Sequence, residues 1–341
     1  MKLTDFNYSL PQDLIAQLPL RKRDASRLLV LDRKSQKITH AHFRDIGNYL
    51  SPSDCLILNN TRVIPARLLG KRATGGKVEV FLLKRLSDGY SYTALIKPLK
   101  RLNLNEKIFF NNGTITAALK DPLKKIVRFN VKSLSRLLEI GQTPLPPYIK
   151  RAPQRIDATH YQTVYAKRNG SVASPTAGLH FTTRLLNDLK KSGITIGYVT
   201  LHVNYATFNP VKEDDIIQHT MHSEEFSIKA DMIQKIRDKK KSGKNIVAVG
   251  TTSTRVLESV ADSILAARTP KDITSNTDLF IYPGFKFKIV DRLITNFHLP
   301  RSTLFMLVCA FAGRDLVMKA YREAIKKEYR FYSYGDAMII L

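Results

Sequence analysis

Hydrophobic positions along the chain form two patterns. Between residues 62 and 155, short apolar runs are separated by turn signals such as Asp88-Gly89 and Asn112-Gly113, which is typical of β-strands joined by hairpins. A short helix is predicted at residues 134–139, and the proline-rich stretch at 143–151 that follows cannot continue it. This segment therefore predicts a small β-barrel that ends at a domain boundary. The predicted strands are residues 78–83, 92–97, 107–110, 114–119 and 126–129.

Outside this segment, strand and helix patterns alternate, which is typical of an α/β domain. We therefore predict a larger discontinuous α/β domain, residues 1–61 and 156–341, interrupted by a small inserted β-barrel domain, residues 62–155. The predicted strands of the larger domain are residues 27–31, 55–59, 194–203 and 245–249, and its predicted helices are residues 43–50, 184–191, 232–241 and 254–267.

The charge of the chain indicates a polyanionic partner. Its 55 Lys and Arg against 29 Asp and Glu give a net charge of +26. Residues 62–155 alone hold 20 basic and 5 acidic residues, so the excess is concentrated in the predicted barrel. Basic surfaces attract nucleic acid by neutralising its phosphates, so we expect the barrel to bind RNA. The alternative is a lysine-rich composition that makes every surface basic.

Composition excludes several other classes of protein. The 43% hydrophobic content is typical of a globular protein, and the apolar run at residues 304–312 is about half as long as a membrane span. Cys55 and Cys309 lie far apart without CxxC spacing, so they predict buried apolar fillers rather than disulfides or a thiolate metal cluster. We expect a cytoplasmic location, no membrane contact and a monomer.

A loop of small residues, residues 170–178, forms the first candidate site. Its residues carry little side chain, which lets the backbone approach a ligand closely. His180 follows, just before a predicted helix start at Thr182 or Thr183, and an ordinary imidazole exchanges a proton near neutral pH. The alternative is an ordinary connecting loop with a buried histidine. The candidate binding residues in the loop are Ser171, Thr176 and Gly178.

A second candidate site lies at residues 245–259, where a strand, a glycine turn and a hydroxyl-rich helix start follow one another. Free backbone N–H groups at a helix start bind anions, although this stretch is neither a Walker loop nor a dinucleotide fingerprint. Arg255 would add bidentate contacts. Alternatively, the hydroxyls only cap the helix. The candidates are Thr251, Thr252, Ser253 and Arg255.

Two further groups of residues carry titratable side chains. His219, His222 and Glu224 have a spacing that could place two imidazoles on one helical face beside a carboxylate, as in a metal site, although the spacing is not that of the HExxH motif. Asn296 and His298 precede Pro300 and a hydroxyl-capped helix, where sites often lie; purely structural hydrogen bonding is their alternative.

Several blocks together resemble one enzyme family. They include LNNTRVIPARL, YQTVYAKRNGSVASPTAGLHF, HTMHSEEF, AVGTTSTRVLES, LITNFHLPRSTLFMLV and YRFYSYGDAMII, with PPYIKR between the first two. In this order, over nearly the full chain, they resemble the S-adenosylmethionine:tRNA ribosyltransferase-isomerases of queuosine synthesis. The family pattern has glycines where this chain has Asn204 and Ala206, which argues against a close backbone approach at Ala206.

The resemblance implies an α/β fold with an inserted barrel and a specific reaction. The ribosyl part of S-adenosylmethionine, a co-substrate, is transferred to 7-aminomethyl-7-deazaguanine at the tRNA wobble position and isomerised, with release of adenine and methionine. No metal is expected. The reaction needs a base beside the sulfonium and a donor for adenine departure, and the resemblance favours His180, His222 and Glu224 for these roles.

Two other functions stay open from the sequence alone. One is a non-catalytic tRNA-binding protein of the same fold, which the charge and the replaced glycines motivate. The other is a metal-dependent hydrolase that uses His219, His222 and Glu224.

Overall fold

The computed structural model describes residues 1–204, 211 and 213–341. Its helices are α1 Leu134–Glu139, α2 Arg155–His160, α3 Thr183–Lys191, α4 Ala230–Lys241, α5 Gly250–Ser259, α6 Ala261–Ala266, α7 Thr303–Ala312 and α8 Arg314–Lys326. Its strands are β1 Arg27–Leu31, β2 Ile38–His42, β3 Cys55–Asn59, β4 Thr61–Val63, β5 Arg67–Arg72, β6 Lys77–Arg85, β7 Ser91–Lys97, β8 Lys107–Phe110, β9 Ile115–Asp121, β10 Ile126–Phe129, β11 Arg168–Ser171, β12 Thr195–Leu201, β13 Glu224–Ile228, β14 Ile246–Val249, β15 Ile273–Thr277, β16 Arg292–Asn296 and β17 Ala337–Ile340.

Nine of these strands form one mixed sheet in the order β15-β13-β12-β3-β14-β16-β17-β1-β2. Strands β12, β3, β14 and β16 run parallel to their neighbours in that series, so their carboxyl ends share one edge of the sheet. Successive residues of β3 point to opposite faces: Cys55 and Ile57 pack into one apolar cluster, and Leu56 and Leu58 into another. Both faces are therefore buried, which explains the continuous apolar runs of the central strands.

The barrel is closed by six antiparallel strands in the order β10-β7-β6-β5-β8-β9. Its interior is a separate apolar cluster that includes Leu68, Val80 and Ile108. The α/β class with a β-barrel is thus confirmed, but the sequence analysis identified five of the barrel strands and missed β5. Strand β5, RLLGKR, carries three basic residues and a glycine, so it lacks the apolar run by which the others were recognised.

Helix predictions were accurate at their centres and wrong at some ends. The helix predicted at residues 254–267 is two helices, α5 and α6, separated at Val260, and the first begins four residues earlier, at Gly250. The segment Phe43–Tyr49 is a 3-10 helix. The helix start predicted at Thr182 or Thr183 is confirmed: α3 begins at Thr183, and the Thr182 hydroxyl caps it by accepting a hydrogen bond from the Leu185 N–H group at 3.1 Å.

The chain enters and leaves the barrel side by side, because β4 pairs in parallel with β11. The domain boundaries at residues 62 and 155 stay a prediction. Cys55 and Cys309 are buried free thiols, as predicted, and burial raises the pKa of Cys55 to about 11. Among the residues with described positions, no helix has both the length and the apolar character to cross a membrane.

Candidate active site

A cavity of about 330 Å³ lies at the carboxyl ends of β14 and β16. Ligands of open α/β sheets bind at this edge, because the loops that leave the strands and the starts of the following helices converge there. Of the residues predicted to bind the co-substrate, Thr176, Thr251, Thr252, Asn296 and His298 line the cavity. They come from three separate parts of the chain, and the sheet brings them together.

The start of α5 forms one wall of this cavity. Gly250 opens the helix with φ +84°, a left-handed conformation that favours glycine, and the next two residues also line the cavity. The backbone N–H groups of a helix's first turn have no partner within the helix and favour negative charge. This wall therefore suits an anionic group.

Three hydroxyl oxygens of cavity-lining residues are buried without a hydrogen-bond partner in the part of the chain that the structure describes. They belong to Ser174, Thr252 and Tyr332. Buried polar atoms are normally paired, because leaving one unpaired costs about 1–3 kcal/mol. Their grouping around one cavity therefore fits a polar ligand.

Asn296 links the cavity to a buried histidine. Its Nδ2 atom donates to the Tyr332 carbonyl oxygen and to His180 Nε2, both at 3.1 Å, and its Oδ1 atom accepts from the Thr176 hydroxyl at 3.0 Å. The carbonyl can only accept, so the amide orientation is fixed and Nε2 of His180 must be unprotonated. The imidazole proton then sits on Nδ1, which lies 2.8 Å from the Ser26 hydroxyl.

His180 does not line the cavity, and its surroundings disfavour the protonated ring. Burial lowers the pKa of its imidazole to about 3, with Arg23 and Arg330 acting in the same direction. The ring lies behind the cavity wall and contacts the cavity through Asn296, and proton exchange by this ring near neutral pH stays a prediction that its lowered pKa disfavours. A role for His180 in the reaction stays a prediction.

His298 is the imidazole that lines the cavity. Its ring Nε2 atom lies 2.7 Å from the Thr295 hydroxyl. Its backbone N–H group donates to the Tyr321 hydroxyl oxygen at 3.0 Å, and its backbone carbonyl accepts from the Tyr8 hydroxyl. Burial lowers the pKa of this ring to about 3 as well. These contacts on three sides give His298 a fixed position.

Tyr148 and Tyr332 form an aromatic wall that the sequence analysis did not identify. Their ring centroids lie 4.6 Å apart, and the Tyr148 hydroxyl lies 2.6 Å from that of Ser333. Tyr332 has φ +70° and Arg301, also at the cavity, has φ +58°; such conformations in residues other than glycine cost about 1–3 kcal/mol and cluster at functional sites. Aromatic residues beside turn-forming residues in PPYIKR and YRFYSYGD were the available signal.

The predicted group of His219, His222 and Glu224 is not assembled as a metal site. Nδ1 of His219 lies 2.8 Å from Oε2 of Glu213, His222 is exposed, and Glu224 forms a buried ion pair with Arg255. Within the described ranges, no three His, Cys, Asp or Glu side chains converge as ligands.

Arg255 also differs from its predicted role as an anion ligand. Besides Glu224, its guanidinium donates to the carbonyl oxygens of Leu279 at 2.9 Å and Thr277 at 3.3 Å. The side chain ties α5 to the end of β15 and does not line the cavity.

Three other predicted binding residues lie outside the cavity lining. The Ser171 hydroxyl donates to the Ala173 carbonyl at 2.6 Å and accepts from the Val203 N–H group at 2.9 Å. Gly178 has no room for a side chain, because a Cβ there would lie 2.0 Å from the Tyr165 hydroxyl. Ser253 is buried within α5. These positions indicate structural roles, and direct binding by these residues stays a prediction.

Of the two positions at which this chain replaces family glycines, one lies among the described residues. The Asn204 N–H group donates to Oε1 of Glu224 at 2.8 Å, whereas Ala206 lies outside the described residues.

A family model described as "Queuosine biosynthesis protein" matches residues 3–340. The chain belongs to this family. Two relatives named S-adenosylmethionine:tRNA ribosyltransferase-isomerase, from Clostridioides difficile strain 630 and Sulfurihydrogenibium sp. strain YO3AOP1, are each 50% identical to it. A third, from Acetivibrio thermocellus, is 51% identical. In all three cases the match covers 100% of both chains.

One solved structure is similar to this chain over nearly its whole length. The crystal structure of S-adenosylmethionine tRNA ribosyltransferase from Thermotoga maritima is 39% identical in sequence and superimposes with a TM-score of 0.57. The match covers 99% of this chain and 100% of the other. The family resemblance inferred from the sequence blocks is thus confirmed.

Proposed function

We propose that this protein is an S-adenosylmethionine:tRNA ribosyltransferase-isomerase. It transfers and isomerises the ribosyl moiety of S-adenosylmethionine onto 7-aminomethyl-7-deazaguanine at the tRNA wobble position, giving epoxyqueuosine in the tRNA and releasing adenine and methionine. The observation that carries this proposal is identity of 50% over the full chain with relatives that have this name.

The cavity at the carboxyl edge of the sheet is the proposed site for S-adenosylmethionine. The first turn of α5 would hold the methionine carboxylate, since Gly250, Thr251 and Thr252 line the cavity there. The rings of Tyr148 and Tyr332 offer a surface for the sulfonium, because cations are attracted to aromatic faces. The unpartnered hydroxyls described above supply the remaining polar contacts.

His222 is our proposed candidate for proton transfer. Strand β13 runs antiparallel to β12, so its amino end lies at the same sheet edge as the carboxyl ends of β12 and β14. His222 precedes that end by two residues and is exposed, whereas His180 and Glu224 are buried and hydrogen-bonded. His180 and Glu224 would then act on the site through Asn296 and through the Asn204 backbone, respectively.

Product analysis tests the proposal directly. The purified protein is mixed with S-adenosylmethionine and tRNA that carries the aminomethyl-deazaguanine base, with EDTA present. We expect a nucleoside with the mass of epoxyqueuosine, with adenine and methionine released together, and no product from tRNA that carries guanine at the wobble position.

Two outcomes would favour the other functions. Binding of tRNA without any modified nucleoside would favour the non-catalytic RNA-binding protein, and product that disappears with EDTA and returns with zinc would favour a metal-dependent enzyme. A cytoplasmic location and a monomeric state complete the proposal; light scattering of the purified protein checks the second.

A further inference from the structure

One outer face of the barrel carries a cluster of lysines on adjacent strands. In the register of β5 with β6, Lys71 lies directly opposite Lys77, and Leu69 opposite Glu79. In the register of β6 with β7, Glu79 lies opposite Lys97. Because side chains alternate between the two sides of a strand, these residues share the outer surface. We call Lys71, Lys77 and Lys97, with the residues between them, the lysine face.

The acidic groups near this face are already neutralised. Glu79 pairs with Arg67 at 2.6 Å, and Glu106, near the edge of the face, pairs with Arg72 at 2.5 Å. The ammonium groups of Lys71, Lys77 and Lys97 are exposed and form no ion pair in the described part of the chain. Like charges directly opposite in a sheet destabilise it, so the Lys71 and Lys77 pair has a cost that a bound anion would remove.

Two surface grooves meet on the lysine face. One, of about 1170 Å³, is lined by Lys71, Lys77 and Lys97. The other, of about 630 Å³, shares Leu69, Glu79 and Lys97 with it and extends to the proline-rich segment at residues 145–153. The shared residues make the two grooves one continuous path.

The far end of this path borders the cavity. Pro147 and Ile149 line the second groove, whereas Tyr148 between them lines the cavity. One short stretch of chain thus separates the groove from the proposed binding site for S-adenosylmethionine. Leu69, 50% exposed, lies along the path and adds apolar area beside the charges.

We propose that the lysine face binds the sugar-phosphate backbone of the tRNA strand that carries the wobble nucleotide and directs that strand toward Tyr148. The inference rests on the proposed function for the identity of the RNA. Regularly spaced ammonium groups suit phosphates, and the path to the cavity gives the bound strand a direction.

A matched pair of charge-removing variants tests this inference. The first is Lys71→Gln with Lys77→Gln. The control is Lys120→Gln with Lys124→Gln, which removes the same charge at β9 and the turn after it, three strands from β6 around the closed barrel in either direction. All four lysines are exposed, so both double variants should fold, and thermal unfolding checks this.

Binding of full-length protein to the tRNA is measured across a series of salt concentrations. Each phosphate contact contributes about 0.7–0.9 to the slope of log K against log salt, so the lysine-face variant should lose roughly 1.5 from the slope and the control almost nothing. Affinity for S-adenosylmethionine should stay unchanged in both. Equal slopes for the two variants would overturn the inference.

The same experiment separates this inference from the proposed function. In one case, the wild-type protein forms no epoxyqueuosine and only the lysine-face variant loses salt dependence. That result would support RNA binding by the lysine face and contradict the proposed reaction. If the wild-type protein forms product while both variants bind tRNA like the wild type, the reaction stands and the lysine face is excluded.

Discussion

Asn296 and His180 are joined by a hydrogen bond of 3.1 Å, with the amide at the cavity and the imidazole behind it. We therefore infer that the imidazole acts on the site through the orientation that it gives to the amide, which would make His180 a positioning residue for Asn296.

A double-mutant cycle tests this relationship. If His180 acts through Asn296, the variant His180→Ala with Asn296→Ala should lose no more kcat/KM for S-adenosylmethionine than Asn296→Ala alone, because coupled residues are not additive. The pH profile of His180→Ala should keep its wild-type shape. Fully additive losses, or a loss of about 10²- to 10⁴-fold with an altered pH profile in His180→Ala, would instead indicate an acid-base group.

Tyr332→Phe should change stability and ligand affinity in different directions. The hydroxyl is buried without a partner in the described structure, so its removal should leave the free energy of unfolding unchanged or raised. Affinity for S-adenosylmethionine should fall about 3- to 10-fold, the effect of one neutral hydrogen bond. Calorimetry measures both, and Tyr92→Phe, which removes an unpartnered hydroxyl in the barrel, is the control. An unchanged affinity would exclude the hydroxyl from the ligand contacts.

The ion pair of Glu224 with Arg255 should matter first for stability. Both side chains are less than 5% exposed, at 2% and 4%, and removing one partner of a buried pair costs about 3–5 kcal/mol. Glu224→Gln should therefore lower the free energy of unfolding in urea, whereas the exposed neighbour Glu225→Gln should change it by less than about 0.5 kcal/mol. If Glu224→Gln instead has the free energy of unfolding of the wild type but no turnover, a direct role of Glu224 in proton transfer would be supported.

His222→Ala should slow product formation and leave stability unchanged, in contrast to the loss of stability expected for Glu224→Gln. The side chain is exposed, so the fold and the affinity for tRNA should be preserved. A proton-transfer group typically contributes about 10²- to 10⁴-fold in rate, so single-turnover product formation should slow by that factor. His42→Ala is the control, because this histidine is also exposed but lies at the end of β2, on the opposite side of the nine-stranded sheet from β13. Wild-type turnover in His222→Ala would remove it from the mechanism.

Stability should depend on pH through the buried imidazoles. His180 and His298 have pKa values near 3 in the folded protein, whereas an unfolded histidine has a pKa of about 6.5. Between these values the unfolded chain binds protons that the folded chain does not, so the stabilisation present above pH 6.5 is lost as the pH falls. The free energy of unfolding should drop below about pH 6.5 with a slope that approaches roughly 1.4 kcal/mol per pH unit for each histidine.

Urea unfolding at several pH values between 7.5 and 5 measures this slope. The variant His180→Asn should have a smaller slope, because one of the imidazoles whose pKa is lowered by folding is gone. A free energy of unfolding that is independent of pH over this range would contradict the burial of two neutral rings.

The sequence by itself determined the fold class, the family and the positions of most central strands. Strands β3 and β14 were recognisable because both faces of the sheet are buried, which forces continuous apolar runs. The start of α3 could also be predicted from neighbouring residues alone, because the Thr182 hydroxyl caps the helix. Family membership followed from blocks of residues whose order can be read without coordinates.

The composition of the candidate site was decided only by the tertiary structure. Periodicity placed Asn296, Thr251 and Thr176 near the ends of elements, but only the order of the strands brings them to one cavity. Sequence could not distinguish His180 from His298, because each directly follows a large apolar residue, Leu179 or Phe297, in a loop before a hydroxyl-capped helix. Their positions relative to the cavity and their hydrogen-bond partners separate them, and these depend on residues far away in the chain, such as Ser26 for one and Tyr321 for the other.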